Sequence, residues 1–126
     1  MTRVPYQYVV LRCVPRAERE EFVNVGIVLR SQAAEHLEAA FAVDAARVRA
    51  LAPDLDLDEL DAALQTVCDV ASGREGGGRP RLGDDGRRFG WLSAPRSTVV
   101  RPGPVHSGLT DDPEVEVQRL LDRLVR

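Results

Sequence analysis

Arginines, carboxylates, two histidines and two cysteines are the residues of this chain that could do chemistry, and their spacing forms no catalytic set. His36 and His106 are the only histidines. The adjacent side chains of His106 and Ser107 diverge, so they cannot pair as base and nucleophile. No GxSxG motif is present. Cys13 and Cys68 lie in apolar segments without a CxxC spacing, which is typical of free thiols. We therefore predict no catalytic residue.

Acidic residues alternate at Asp54, Asp56 and Asp58, as the ligands of a calcium-binding loop do. Glu59 stands where that loop needs a glycine, and Gln65 stands where it needs a bidentate glutamate. Carboxylates are also favoured at the start of a helix, and this explains the run better. The sequence predicts no metal site and no cofactor.

All 17 basic residues are arginine, which excludes enzymes that need a catalytic or phosphate-binding lysine. Residues 73–101 carry seven of these arginines and only three acids, although the whole chain has a net charge of −3. A basic segment can contact phosphate or an acidic partner, but a solvated loop is the commoner explanation. Aromatic residues make up only 5% of the chain, which argues against nucleic acid as a partner.

Two groups of polar residues are candidate sites. The first is a polar patch on and between the first two predicted strands, for which buried ion pairs are the alternative interpretation. Its members are Arg12, Arg19, Glu21, Asn24 and Arg30. The second group is a candidate contact for an anion or a partner. Its members are Arg96, Arg101 and His106.

An antiparallel meander of three strands must position the first group. Residues 6–14 are typical of a central strand, residues 22–30 of a second strand and residues 36–43 of a third. A helical turn or exposed connection is expected at residues 16–21. In the second strand, alternation predicts that four apolar side chains share one face under a second layer. These are Val23, Val25, Ile27 and Leu29. Gly26 predicts a bulge or a close backbone approach, and Asn24 is placed to satisfy local polar groups.

Aspartates mark the expected helix starts. Asp44 precedes a short helix that ends near Leu51, and Asp56 precedes a longer one that ends at Gly73. Asp112 is followed by Pro113, the arrangement that begins many helices, and this helix should bury an apolar stripe. The stripe comprises Val117, Leu120, Leu121 and Leu124.

Between the helices, the Gly- and Arg-rich residues 73–88 predict a flexible loop that precedes no helix, with order resuming at Phe89. Residues 97–101 indicate a short strand, and residues 105–109 an irregular segment or a last strand. The fold class is therefore α+β, with an antiparallel sheet of three to five strands and two to three helices on one face, a two-layer sandwich. We expect one domain over residues 1–126, no membrane span and a cytoplasmic location.

Two stretches, YQYVVLRCVPRAEREEFVNVGIVLRS and PRSTVVRPGPVHSGLTDDPEVEVQRLLDRLV, together resemble the bacterial family of unknown function numbered 3037. That family has no assigned activity, so the resemblance implies no catalytic residue. Its genes often lie beside genes for HipA-like kinases, which implies a non-enzymatic module that binds or regulates such a kinase through a sheet edge or the basic segment. The alternatives are a nucleic-acid or small-ligand binding protein, an enzyme that uses the polar patch, and a homo-oligomer.

Overall fold

The computed structural model describes residues 2–74 and 76–126, which form five strands and four α-helices. The strands are β1 (Val4–Cys13), β2 (Val23–Ser31), β3 (His36–Phe41), β4 (Val100–Pro102) and β5 (His106–Thr110). The helices are α1 (Ala45–Leu51), α2 (Leu57–Ala71), α3 (Asp85–Ser93) and α4 (Pro113–Leu124). One 3-10 turn, Ala17–Arg19, joins β1 to β2 where a helical turn or connection was expected.

All strand pairs are antiparallel, and β1 is the central strand. One edge of β1 pairs with β2, which in turn pairs with β3, so the predicted meander is confirmed. The other edge of β1 pairs with β5 over its first half and with β4 over its end. In the region of residues 105–109, for which an irregular segment or a last strand was expected, the chain thus forms a strand, β5.

Each face of the sheet carries a hydrophobic core. Val9, Leu11 and Cys13 of β1 contribute to a core shared with buried residues of α1, α2 and α3. On the opposite face Tyr6 joins a core formed with β2 and α4. The α+β class with an antiparallel sheet is confirmed, but there are four helices and they cover both faces. The physical reason is that β1 and β2 are apolar on both sides, and one helical layer covers only one side.

A bulge at Gly26 explains how β2 serves both cores. Leu11 lies opposite Gly26 but Arg12 lies opposite Asn24, so Val25 is an extra residue in β2. A Cβ atom on Gly26 would lie 2.9 Å from the carbonyl oxygen of Ala40, so the predicted bulge and close approach are both confirmed.

The bulge also overturns the prediction that four apolar side chains of β2 share a face. Val23 and Val25 belong with Val28 in the core under α1–α3, whereas Ile27 and Leu29 lie in the core under α4. An extra residue reverses the alternation of side chains, because the period along a strand is two.

The helix starts agree with the sequence. Asp44, Asp56 and Asp112 each accept two hydrogen bonds from backbone N–H groups of the first turn. Gly73, just after α2, has a φ of 82°, a conformation that favours glycine. None of the helices in the described ranges has the length and hydropathy of a membrane span.

Helix α3 was not predicted. It begins at Asp85 inside the segment expected to be a loop, so the prediction that this segment precedes no helix is wrong. The side chain of Asp84 accepts a hydrogen bond of 2.8 Å from the backbone N–H of Arg87, and Phe89 and Leu92 are buried. Capping and burial thus outweigh the low helix propensity of its glycines. Glu75, also in that segment, lies outside the described residues.

Candidate functional site

Helix α4 covers only part of its sheet face. It packs on β2 and β3. On the other side of β2 lie β1, β4 and β5, and their side chains on this face lie beside α4. We call this part of the surface the open sheet face. It comprises Tyr8, Val10, Arg12, Arg101 and His106, of which His106 is exposed and the others are half-buried.

Arg12 occupies the middle of a polar row across three strands. It lies opposite Asn24 of β2 on one side and opposite Arg101 of β4 on the other. Directly opposed residues of antiparallel strands point to the same face, so both guanidinium groups belong to one surface. The amide of Asn24 donates a hydrogen bond of 3.1 Å to the carbonyl oxygen of Leu124. Asn24 therefore holds the end of α4 against the sheet.

The guanidinium group of Arg12 lies between an aromatic ring and the backbone. Its central carbon lies 4.1 Å from the centre of the Phe22 ring, and Phe22 is 44% exposed. A Cβ atom on Gly103 would come within 3.2 Å of this guanidinium group, so the glycine leaves the space that it occupies. The Nε atom is buried without a hydrogen-bond partner. Among the described residues no carboxylate lies within ion-pair distance of Arg12.

Arg101 is held by its own loop. Its Nε atom donates to the carbonyl oxygen of Thr98 at 2.8 Å and its Nη2 atom to that of Ser97 at 3.4 Å. These acceptors are neutral. Arg12 and Arg101 thus place two positive charges on one face of the sheet, and in the part of the chain that the structure describes neither is paired with a carboxylate.

Aromatic rings continue the open sheet face toward β5. The rings of Tyr8 and His106 lie 5.2 Å apart with an angle of 31° between their planes, and Tyr6 lies 6.1 Å from Tyr8. Burial, followed by the nearby Glu116 carboxylate, raises the pKa of the Tyr6 hydroxyl. Tyr6 is buried in the core under α4, and Tyr8 and His106 are its surface extension.

The structure does not bring all five residues of the predicted polar patch together. Arg12 and Asn24 are neighbours, as described above. Arg19 and Glu21 form an exposed ion pair at the rim of a separate cavity of about 460 Å³ next to the connection between α1 and α2. The hydrogen bond from Arg19 lowers the pKa of the Glu21 carboxyl. Arg30 lies opposite Gln7, which puts it on the other face of the sheet from Arg12.

The second predicted group is also divided. Arg101 and His106 lie on the open sheet face, but Arg96 lies at an apolar cavity of about 200 Å³ beside α2 and α3. Its guanidinium group stacks on Trp91 at 4.2 Å and donates to the carbonyl oxygen of that residue. Burial lowers the pKa of Arg96.

Sequence reasoning missed Tyr8 and Phe22 as surface residues. The signal was present for Tyr8, because residues 8, 10 and 12 alternate along one strand and must share a face.

The thiols are unsuited to nucleophilic chemistry. Cys13 is fully buried, and burial raises its pKa. Cys68 donates to the carbonyl oxygen of Ala39 at 3.6 Å, and burial, with a contribution from the adjacent Asp69 carboxylate, raises its pKa to about 11. Within residues 2–74 and 76–126 no group of three or more His, Cys, Asp or Glu side chains is arranged to hold a metal ion.

Comparison with protein families gives a match. The model of the family described as "Protein of unknown function (DUF3037)" matches residues 8–125, nearly the whole chain. The chain therefore belongs to this family, as its resemblance suggested. Comparison with curated proteins finds no match, and comparison with solved structures finds none either.

Proposed function

We propose that this chain is a non-enzymatic, cytoplasmic binding module whose open sheet face docks an acidic surface of a protein partner. The observation that carries the proposal is that two guanidinium groups, Arg12 and Arg101, lie beside aromatic rings without a carboxylate partner among the described residues. Tyrosine and arginine are the residue types enriched at the energetic centres of protein interfaces. A HipA-like kinase is the partner that the family resemblance nominates.

Pre-organisation strengthens the argument. The Arg12 guanidinium group is already held by Phe22 and Gly103, and that of Arg101 by two carbonyl oxygens. Association therefore immobilises few additional side-chain rotamers, which lowers the entropic cost of binding. A carboxylate from the partner would form charge-assisted hydrogen bonds with both groups as the aromatic rings lose contact with water.

The test is capture of a HipA-like kinase from the same genome by the tagged, nuclease-treated chain, followed by calorimetric titration. Charge reversal by Arg101→Glu should weaken binding by about tenfold or more, because it places a carboxylate against the acidic surface of the partner. Arg12→Glu should act in the same direction.

The matched control is Arg49→Glu, which makes the same charge change at an exposed position of α1. It should leave the affinity within about twofold, as expected away from an interface. Equal weakening by Arg49→Glu and Arg101→Glu, in variants that keep the parent circular dichroism spectrum, would refute docking at the open sheet face. Failure to capture the kinase would remove it as the partner.

Single-stranded nucleic acid is a second candidate, favoured by the rings of Tyr8, His106 and Phe22 on the same surface as the two arginines. Bases stack on such rings while guanidinium groups contact phosphates. Fluorescence anisotropy with a labelled oligonucleotide distinguishes the candidates. Nucleic-acid binding should weaken steeply between about 50 and about 200 mM salt, and Tyr8→Ala should reduce it. Absence of a saturable anisotropy signal would exclude nucleic acid and leave the protein partner as the remaining candidate.

A further inference from the structure

A polar row crosses the sheet face opposite to the open sheet face. Arg30 of β2 lies opposite Gln7 of β1, and Gln7 lies opposite Ser107 of β5. Register places the three side chains on one face. Gln7 and Ser107 are exposed and Arg30 is half-buried, so the row is open to solvent at its β5 end.

A cavity of about 330 Å³ lies over this row. Gln7, Arg30, Gln32 and Ser107 line it, together with Pro5, Tyr6 and Gly108. The volume is at the lower end of the range for small-molecule sites. No carboxylate lines this cavity among the described residues, so Arg30 gives it a positive charge.

Arg30 is held in place by packing against helix α3. Its Nη2 atom would lie 3.3 Å from a Cβ atom on Gly86, which places the guanidinium group against the first turn of α3. Its Nε atom is buried and has no hydrogen-bond partner. In the described ranges no carboxylate lies within ion-pair distance of Arg30.

The acidic residues near Arg30 have other roles. Asp84 caps α3, and Asp85 pairs with Arg88. Together with Glu35 they line a different cavity, of about 500 Å³, that Arg30 also borders. None of these three carboxylates is among the described residues that line the cavity over the polar row.

We propose that the cavity over Gln7, Arg30 and Ser107 binds a small molecule that carries a carboxylate or phosphate group. A guanidinium group binds either oxyanion through two parallel hydrogen bonds. The amides of Gln7 and Gln32 and the hydroxyl of Ser107 supply donors and acceptors for polar groups next to the oxyanion. This site does not depend on the proposed function, because it uses other residues on the other face.

The experiment is a titration of the ¹⁵N-labelled protein, followed by NMR, with inorganic phosphate in one arm and succinate in the other. Sodium chloride at matched ionic strength is the reference. Saturable shifts should appear for the side-chain amides of Gln7 and Gln32 and the backbone amide of Ser107. The arm that saturates identifies the oxyanion.

Two variants locate the site. Arg30→Gln removes the charge and should weaken binding by about tenfold or more, the expected effect of losing a charge-assisted pair. Arg87→Gln removes the same charge from an exposed neighbour of Gly86 that does not line the cavity, and it should leave the affinity unchanged.

A third variant, Gln7→Ala at an exposed strand position, guards against misfolding of Arg30→Gln and should also weaken binding. Shifts that stay linear with concentration in both arms would overturn the proposal, as would equal affinity of the parent and a folded Arg30→Gln or Gln7→Ala variant.

Discussion

Arginine serves this molecule through its flat shape as much as through its charge. The guanidinium groups of Arg12 and Arg96 stack on Phe22 and Trp91 at 4.1 and 4.2 Å, and that of Arg30 lies against Gly86. A lysine ammonium is compact and strongly hydrated, so it could not fill these flat spaces. Both proposed sites therefore depend on arginine itself, and lysine substitutions at these positions are not conservative.

Gly26 is a single residue on which the register of the central strands depends. We expect Gly26→Ala to lower the free energy of unfolding by about 1–3 kcal/mol, because the added Cβ would overlap backbone that cannot move cheaply. It would lie 2.9 Å from the carbonyl oxygen of Ala40 and 3.2 Å from the Cβ of Phe41. Urea denaturation measures the change.

Gly90 is the matched control for that substitution. It lies on an exposed part of α3, and a Cβ there would meet nothing within 4 Å. Gly90→Ala should be neutral or stabilise by up to about 1 kcal/mol, because alanine has the higher helix propensity. A Gly26→Ala variant as stable as the parent would show that the bulge does not require glycine.

At the scale of elements, α4 covers the core on its face of the sheet. The first turn of α4 is capped by one side chain, that of Asp112. Asp112 accepts hydrogen bonds from the N–H groups of Glu114 and Val115. Asp112→Ala should reduce the free energy of unfolding by about 1 kcal/mol, the usual cost of losing such a cap. Chemical denaturation followed by circular dichroism measures it.

The neighbouring Asp111 provides the control. It is exposed, and its contact with Arg3 is a long one of 3.9 Å. Asp111→Ala should change stability by less than about 0.5 kcal/mol, as exposed ion pairs contribute little. An equal loss from both substitutions would mean that general charge near the helix start, and not the cap, stabilises α4.

Elements with a local signal could be predicted from sequence. Three strands rich in apolar residues and three helices with aspartate caps have such signals, and all six form. Helix α3 lacked such a signal, because Gly86 and Gly90 lower its helix propensity and it buries just two of its described residues, Phe89 and Leu92. Its stability comes from packing on α2 and the sheet, which is tertiary information.

The site was predictable only where it follows from one hairpin. Arg12 and Asn24 are neighbours because β1 and β2 form a hairpin, but the pairing of Arg12 with Arg101 joins distant parts of the chain. Its register also depends on an irregularity, since β1 advances three residues from Tyr8 to Leu11 while the opposite edge advances four from Pro102 to His106. No local sequence pattern predicts this difference of one residue between the two edges.

At the scale of the whole molecule, the two cores lie on opposite faces of the same strands. The backbone hydrogen bonds of β1 and β2 support both, so loss of one core should remove the other in a single transition. Trp91 packs against the core under α1–α3, and Leu121 is 2% exposed in the core under α4. The fluorescence of Trp91 therefore reports on the core under α1–α3, whereas Leu121 belongs to the core under α4.

We expect Leu121→Ala to lower the free energy of unfolding by about 2–5 kcal/mol, through lost burial and the cavity left behind. Urea transitions followed by Trp91 fluorescence and by circular dichroism should move together. Leu64→Ala, which opens a cavity in the core under α1–α3, is the comparison and should shift both signals equally. A Leu121→Ala variant whose Trp91 transition stays at the parent midpoint, while the circular dichroism transition moves, would mean that the two faces unfold independently. The shared strands would then transmit too little free energy between the faces to make the chain one cooperative unit.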